Sequence, residues 1–215
     1  MPVAAWSPEG LPPGFLDAVG ATGARLANIE TFRVRLEAAN ASMNLVGTST
    51  LEGFWRRHFL DCAQLLWFEP RALVWADLGA GAGLPGLVLA ILLKGRAGAK
   101  AHLVESMAKR CRFLASVAEA LDLPVEIHNV RAEAVALDVE VVTARACAPL
   151  TRLLEFAEPT LARGARGLFL KGQEVDREVA EARKVWRFTA SARDSLSDPR
   201  GRILAITELA RGRRN

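Results

Sequence analysis

The sequence predicts an α/β fold: a mostly parallel sheet, closed by a terminal antiparallel hairpin and preceded by a helical N-terminal cap. Three observations carry this. From Ala72 onward, short β-rich runs alternate with apolar helical segments. A glycine-rich turn, Gly79-Ala-Gly-Ala-Gly83, joins the first such run to the first such helix. The chain closes on two strand-like runs, Arg187–Leu196 and Arg202–Leu209, with only the turn sequence Ser197-Asp-Pro-Arg-Gly between them.

Each element has its own signal. Residues 1–14 are rich in Pro, Gly and Ala and read as a loose arm. From Phe15 to Ala39 the apolar residues Leu16, Val19, Ile29, Phe32 and Leu36 fall at helical spacing. Asn40-Ala-Ser-Met-Asn44 reads as a loop. A second helix is expected from about Leu51 to Phe68, with Phe54, His58, Cys62 and Leu65 or Leu66 on one face, ended by Pro70. Residues 1–70 are thus an arm and helical cap, and 71–215 a sheet domain forming one compact unit. Its expected strands are Leu73–Leu78, Ala101–Glu105, Val125–Val130, Val139–Ala144 and Gly167–Lys171. Its expected helices are Leu84–Leu93, Met107–Leu121, Pro149–Leu161 and Val175–Val185. Strands separated by helices pair in parallel, whereas the last two runs lack a crossover helix and must pair as a hairpin.

Composition narrows the function. Of 215 residues, 51% are apolar and 24% charged, which excludes global disorder and allows a sizeable core. The longest apolar stretch, Leu84–Leu93, is too short for a bilayer span, which needs about 20 residues. The first 15 residues lack the basic and apolar regions of a signal peptide, so a cytoplasmic location is expected. Cys62, Cys111 and Cys147 are odd in number and widely spaced, as reduced thiols are. His58, His102 and His128 are scattered too, and no metal site is expected. Residues 163–215 hold 13 basic and 7 acidic side chains, a net +6 against −2 for the rest. Such a C-terminal portion suits an anionic partner such as RNA, or is simply a solvated basic surface.

The strongest motif is Val74-Trp-Ala-Asp-Leu-Gly-Ala-Gly-Ala-Gly-Leu-Pro-Gly86, a strand running through a glycine turn into a helix. It has no Gly-Lys-Ser/Thr and so is not a triphosphate loop. The spacing of Gly79, Gly81 and Gly83 is GxGxG rather than GxGxxG, which fits S-adenosylmethionine (SAM) better than NAD. Asp77 stands where the cationic amino-methionine end of SAM would lie, and would be unwelcome beside a pyrophosphate. Glu105, 22 residues beyond Gly83 at the next strand end, suits a carboxylate accepting from two ribose hydroxyls. Arg131-Ala132-Glu133 follows the third strand, where a backbone N–H or side chain could meet adenine. Arg145 ends the fourth strand. It could hold the methionine carboxylate, an RNA phosphate or a neighbouring acid.

A parallel sheet closed by such a hairpin is the Rossmann-like sheet of class I SAM-dependent methyltransferases. The segments Asn44-Leu, Arg57-His-Phe-Leu-Asp61, Asp77–Gly86, Leu103-Val-Glu-Ser, Lys109-Arg-Cys-Arg-Phe-Leu114, Arg131-Ala-Glu133, Val141-Val-Thr-Ala-Arg-Ala146, Ala148-Pro-Leu150 and Lys171-Gly172 go further. In this order they resemble the bacterial 16S rRNA guanine-N7 methyltransferases, also called the glucose-inhibited division protein B family. The resemblance runs from about Asn44 to Arg187. It implies SAM as methyl donor, one guanine of the 530 loop of 16S rRNA as target, and Gly79, Leu84, Ala132, Glu133 and Arg145 at the SAM site. Val46-Gly47 and Cys62 depart from the residues usual in the family, Thr and Ser respectively, without removing a charged or glycine position.

The residues also bear on the target atom. The chain has no Tyr, and its only Pro-Pro lies at 12–13, so the Asn/Asp-Pro-Pro-Tyr/Phe motif of amino-methyltransferases is absent. Cys147 lies in Cys-Ala-Pro rather than the Pro-Cys context of cytosine-C5 methylation. No general base is evident, which fits guanine N7 by elimination and leaves other nucleophilic targets open. Catalysis would then consist of positioning, with Arg145 and Asn44 as candidates. Candidate RNA contacts are Arg56, Arg57, His58, Lys109, Arg110, Arg112, Arg145 and Lys171, although His58 reads equally as bonded to Asp61 or backbone and Lys109, Arg110 and Arg112 as the solvated side of their helix. Phe54, Trp55 and Trp186 are candidates to stack on the base, with core packing the first reading of each. The expected partner of a monomer is 16S rRNA or the small ribosomal subunit particle, without DNA, membrane or metal. A NAD-dependent oxidoreductase is disfavoured by the GxGxG spacing, Asp77 and the hairpin. A non-catalytic RNA-binding module is disfavoured by the intact glycine loop and Glu105. The alternative kept open is a same-fold methyltransferase acting on another RNA, a protein or a small molecule.

Overall fold

The computed structural model describes residues 10–212. The first nine residues of the expected arm and the basic tail residues Arg213 and Arg214 lie outside them. The cap comprises α1 (Phe15–Ala18), α2 (Gly23–Met43), α3 (Thr48–Leu51), a π-helical segment Trp55–Leu60 and α4 (Asp61–Phe68). Strands and helices then alternate: β1 (Val74–Leu78), α5 (Gly86–Leu93), β2 (Lys100–Val104), α6 (Ala108–Ala120), β3 (Val125–His128), β4 (Val141–Arg145), α7 (Leu150–Leu161), β5 (Arg166–Lys171) and α8 (Val175–Ala182). The chain closes on β6 (Trp186–Asp194) and β7 (Arg202–Arg211).

The sheet order is β3-β2-β1-β4-β5-β7-β6. The first five strands pair in parallel, and β7 runs antiparallel to both β5 and β6. The order reverses between β1 and β4, so their carboxyl ends flank the crevice where open α/β sheets bind ligands. Alternate residues of each strand serve two cores. Trp75, Ala101 and Leu103 face the cap side, and Ala76, Val104 and Val142 face α7 and α8. The helix α5, Gly-Leu-Val-Leu-Ala-Ile-Leu-Leu, is apolar all round because the sheet covers one side and the cap the other. Phe15, Phe32, Leu36 and Phe54 of the cap belong to the same core as Leu87 and Leu114.

Two expectations are corrected. Residues 40–43 are helical rather than a loop, because the buried Asn40 closes its own turn: its Oδ1 accepts the Val46 N–H at 2.9 Å. Asn44 then ends α2 in the left-handed conformation at φ 48°. The single helix expected over 51–68 is interrupted at 52–54 and widened to π geometry over Trp55–Leu60. The widened turn buries Trp55, His58, Phe59 and Leu60 and leaves Arg56 and Arg57 exposed. Among the described residues, no helix is long and apolar enough to cross a membrane. Cys62 and Cys111 are buried free thiols, and Cys147 is a half-buried one.

Candidate active site

The carboxyl ends of β1, β2 and β4 converge on two clefts. The smaller, about 130 Å³, is lined by Gly79, Val104, Glu105, Ser106, Val130, Arg131, Ala132, Glu133, Cys147 and Phe156. The larger, about 1080 Å³, lies between the cap, the end of β4 and the 195–202 turn of the hairpin. Cys147 lines both.

The glycine turn shapes the first cleft. Gly79 has φ +71°, and a Cβ there would lie 2.7 Å from Cys147 Sγ. A side chain would thus meet the wall between the clefts as well as strain the backbone. Farther along, a Cβ on Gly86 would lie 2.8 Å from Asp77 Oδ2, the atom that accepts the Gly86 N–H at 2.8 Å. Glu105 is 4% exposed. Its Oε2 accepts from Gly81 N–H at 3.0 Å and its Oε1 from Met107 N–H at 2.8 Å. Each oxygen keeps a lone pair for a hydroxyl donor.

Asp77 lies beneath this loop, 2% exposed. Burial, reinforced by the nearby Glu105, pushes its pKa up to about 7, against the Gly86 N–H and Arg145, which pull it down. Its Oδ1 is buried without a hydrogen-bond partner, and so is Oγ1 of Thr143, its register partner on β4. An unmet carboxylate oxygen beside an unmet hydroxyl under a glycine turn, next to a carboxylate-lined cleft, fits a ligand with a cationic end and an adenosine end. SAM is such a ligand. Gly79, Glu105, Ala132 and Glu133 would line its adenosine side, with Asp77 toward its ammonium end. Asp77, Gly81, Gly83 and Leu84 line neither cleft; Gly81 donates its N–H to Glu105, and the other three are buried.

Arg145 closes the other side. Its Nη1 donates to Asp61 Oδ2 and to the Arg57 carbonyl, both at 3.1 Å, and its Nη2 donates to His58 Nδ1 at 2.7 Å. His58 is 4% exposed. Burial, with Arg145 and Arg57 adding to it, depresses its pKa to about 3, so the ring is neutral. Since a guanidinium only donates, Nδ1 accepts and Nε2–H donates to Thr50 Oγ1 at 2.8 Å. Thr50 passes its own proton to the Gly47 carbonyl at 2.6 Å. Asp61 Oδ1 accepts from Ser197 Oγ at 2.6 Å, and Gln64 Oε1 accepts the Leu196 N–H at 2.8 Å. The Arg-His-Phe-Leu-Asp segment thereby ties the cap to both β4 and the hairpin. Burial raises the Asp61 pKa, opposed by Arg145 and Ser197.

The predicted RNA contacts therefore divide. Arg57, Arg145 and Lys171 line the larger cleft. Arg56 is exposed and donates to the Ser197 carbonyl at 3.0 Å. Lys109 and Arg112 are exposed on α6, with Lys109 reaching the Ser42 carbonyl at 3.0 Å. Arg110 is half-buried, 3.7 Å from Glu105. His58 is turned inward and meets Arg145 rather than solvent. Lys171, with its side chain 9% exposed, is paired with Glu178 at 2.6 Å. Asn44 is exposed at the α2 terminus and lines neither cleft. The proposed stacking aromatics Phe54, Trp55 and Trp186 are all core residues, because each packs into the apolar interior instead of facing the cleft. Arg200 and Arg202, which also line the large cleft, were missed. The cue was available in the Ser-Asp-Pro-Arg-Gly turn, whose position beside the cap is tertiary.

A seven-stranded sheet with one reversed strand, a glycine turn after β1 and an acid at the end of β2 defines a SAM-dependent methyltransferase of the Rossmann-like class. The fold is shared with solved structures of low identity. That of MtNAS in complex with MTA and tNA is 18% identical, covers 86% of this chain and 75% of its own, and has a TM-score of 0.54. The family model described as rRNA small subunit methyltransferase G matches residues 25–201, and the chain belongs to that family. A ribosomal RNA small subunit methyltransferase G of Caulobacter vibrioides (strain NA1000 / CB15N) is 62% identical over 200 residues, covering 93% of each chain. One of Rhodospirillum rubrum is 45% identical over 202 residues, covering 93% of this chain and 98% of its own.

Proposed function

We propose that this SAM-dependent rRNA methyltransferase transfers a methyl group to N7 of a guanine in the 530 loop of 16S rRNA. SAM, when bound, supplies an electrophilic methyl group on a sulfonium. Guanine N7 carries a free lone pair and no proton, so its methylation needs no general base.

The carrying observation is that His58, Asp61 and Glu178, candidate bases lining the larger cleft, are each held by a cationic side chain. His58 uses its free lone pair on Arg145. Asp61 is held by Arg145 and Ser197. Glu178 is paired with Lys171 and also accepts the Leu150 N–H at 2.6 Å. Asp198 Oδ1 accepts the Arg200 N–H at 2.9 Å. What remains is a cleft with Arg57, Arg200 and Arg202 at its walls, suited to grip phosphates, orient a base against Cys147 and exclude water.

On this reading residues 1–70 form a cap that completes the RNA cleft over a methyltransferase domain of residues 71–215. The protein acts as a monomer in the cytoplasm, where ribosomal particles assemble. The residues lining the smaller cleft serve SAM, and those lining the larger serve RNA.

The test is methyl transfer from radiolabelled SAM to unmodified 16S rRNA and to small-subunit particles, with N7-methylguanine mapped by borohydride and aniline cleavage. One modified guanine in the 530 loop is expected. Label elsewhere, or label resistant to that cleavage, would replace this target with another nucleophile.

A further inference from the structure

We propose that His102, Glu126 and His128 form a site for one divalent transition-metal ion at the edge of the sheet. Glu126 and His128 are alternate residues of one strand, and strand register brings His102 of the neighbouring strand against them. His102 of β2 pairs with Glu126 of β3, and Val104 with His128, so all three side chains project from one sheet face. Their rings and carboxylate already converge. His102 Nδ1 lies 3.0 Å from His128 Nε2 and 3.9 Å from Glu126 Oε2, and His128 Nε2 lies 3.6 Å from Glu126 Oε1. Tetrahedral ligands at a zinc–nitrogen distance of about 2.0–2.1 Å stand roughly 3.3 Å apart, which these spacings bracket. Both imidazoles are half-buried and the carboxylate is exposed, leaving a fourth position open to water.

The donor set selects the ion. Two imidazoles and a carboxylate suit zinc, cobalt or nickel rather than calcium or magnesium, which prefer oxygen. Parallel strands supply a rigid scaffold, so little ordering accompanies binding. In the ion-free protein one of the two facing nitrogens carries the proton of their hydrogen bond, and coordination through both nitrogens shifts that ring to its other neutral tautomer, with no net proton released. Lys100, in contact with Glu126 Oε2, is the one cation that competes for the site among the described groups around it. Neither histidine lines a cleft. The site nonetheless adjoins the SAM cleft through backbone, since the Glu105 N–H donates to the His128 carbonyl at 3.1 Å. An occupied site would staple the edge strand β3 beside that cleft.

The experiment titrates chelator-stripped full-length protein with Co²⁺ and, separately, Zn²⁺, reading visible absorption for cobalt and calorimetry for zinc. One equivalent is expected, with weak d–d bands and without the intense near-ultraviolet band of thiolate ligation. His102→Ala and His128→Ala should each weaken binding by more than about 100-fold, beyond the roughly 10–100-fold typical of outer-shell changes. Lys100→Ala keeps both rings and should bind more tightly, which separates lost ligation from lost folding. No saturable binding, unchanged affinity in the two histidine variants or a thiolate band would overturn the site. Unchanged affinity in Lys100→Ala would remove Glu126 from it.

Discussion

Arg145 Nη2 lies 2.7 Å from His58 Nδ1, and this contact fastens the end of β4 to the π-helical segment of the cap. It fixes the histidine tautomer, because the arginine cannot accept. It also holds the guanidinium against Asp61 and the Arg57 carbonyl of the cap. Of the three roles open to Arg145, the one present here is the pairing with a neighbouring acid, Asp61.

Replacing His58 should therefore act through Arg145. His58→Ala removes a buried partner of a charged group, at a cost of about 1.5–3 kcal/mol. We expect a lower Tm, a raised KM for rRNA, and a SAM affinity within about twofold of wild type. His58→Gln, which can still accept from Arg145, should recover part of the KM. A loss of SAM affinity as large as the loss of RNA affinity would place Arg145 at the cofactor instead.

The same histidine predicts a pH dependence. Its folded pKa, about 3, lies below the unfolded value of about 6.5. Between these values the unfolded chain binds a proton that the native state refuses. The stability is fully present above about pH 6.5 and is lost as pH falls toward about 3. Asp77 has the opposite sign: its raised folded pKa, about 7, favours the native state below about pH 4 and loses that contribution as pH rises through 7. Chemical denaturation between pH 4 and 8 should show a shallower acid loss in His58→Gln, and a smaller loss toward neutral pH in Asp77→Asn.

Gly79→Ala should lower both stability and SAM affinity. The left-handed backbone costs an L-residue about 1–2 kcal/mol, and the new methyl group meets Cys147 Sγ. Adding Cys147→Ala should recover the steric part and leave the backbone part. Calorimetric SAM titration and thermal melts of the two single variants and the double variant separate the contributions.

Arg200→Ala and Arg202→Ala should weaken rRNA binding while leaving SAM binding unchanged. If each contacts one phosphate, each removal lowers the slope of log affinity against log salt by about one. Filter binding from low to moderate salt measures this. An unchanged slope would assign these arginines to the hairpin turn alone, where Arg202 bonds the Pro199 and Gly201 carbonyls.

Much of the site was legible because it is local. The glycine turn, Asp77 and Glu105 occupy fixed offsets from strand ends, and strand–helix alternation forces those ends to one edge of a parallel sheet. His58 was less legible. Its helical spacing with Phe54 and Cys62 placed it on the buried face, yet its partner lies 87 residues away. The aromatics Phe54, Trp55 and Trp186 read first as core residues and only second as base-stacking ones, and packing places all three in the core.

By itself, the sequence determined the alternation of elements, the reversed final strand, the glycine turn after β1 and the membership of an rRNA methyltransferase family. These follow from periodicity and from backbone geometry that particular residues alone permit, both encoded over short stretches. The tertiary structure decided which charges are free and which are paired. It joined the Arg57–Asp61 segment to β4 and the hairpin, and brought His102 and His128 within 3.0 Å. Such relationships depend on strand register and on the seating of the cap, where distant segments meet through the burial of a common core, and no local pattern records them.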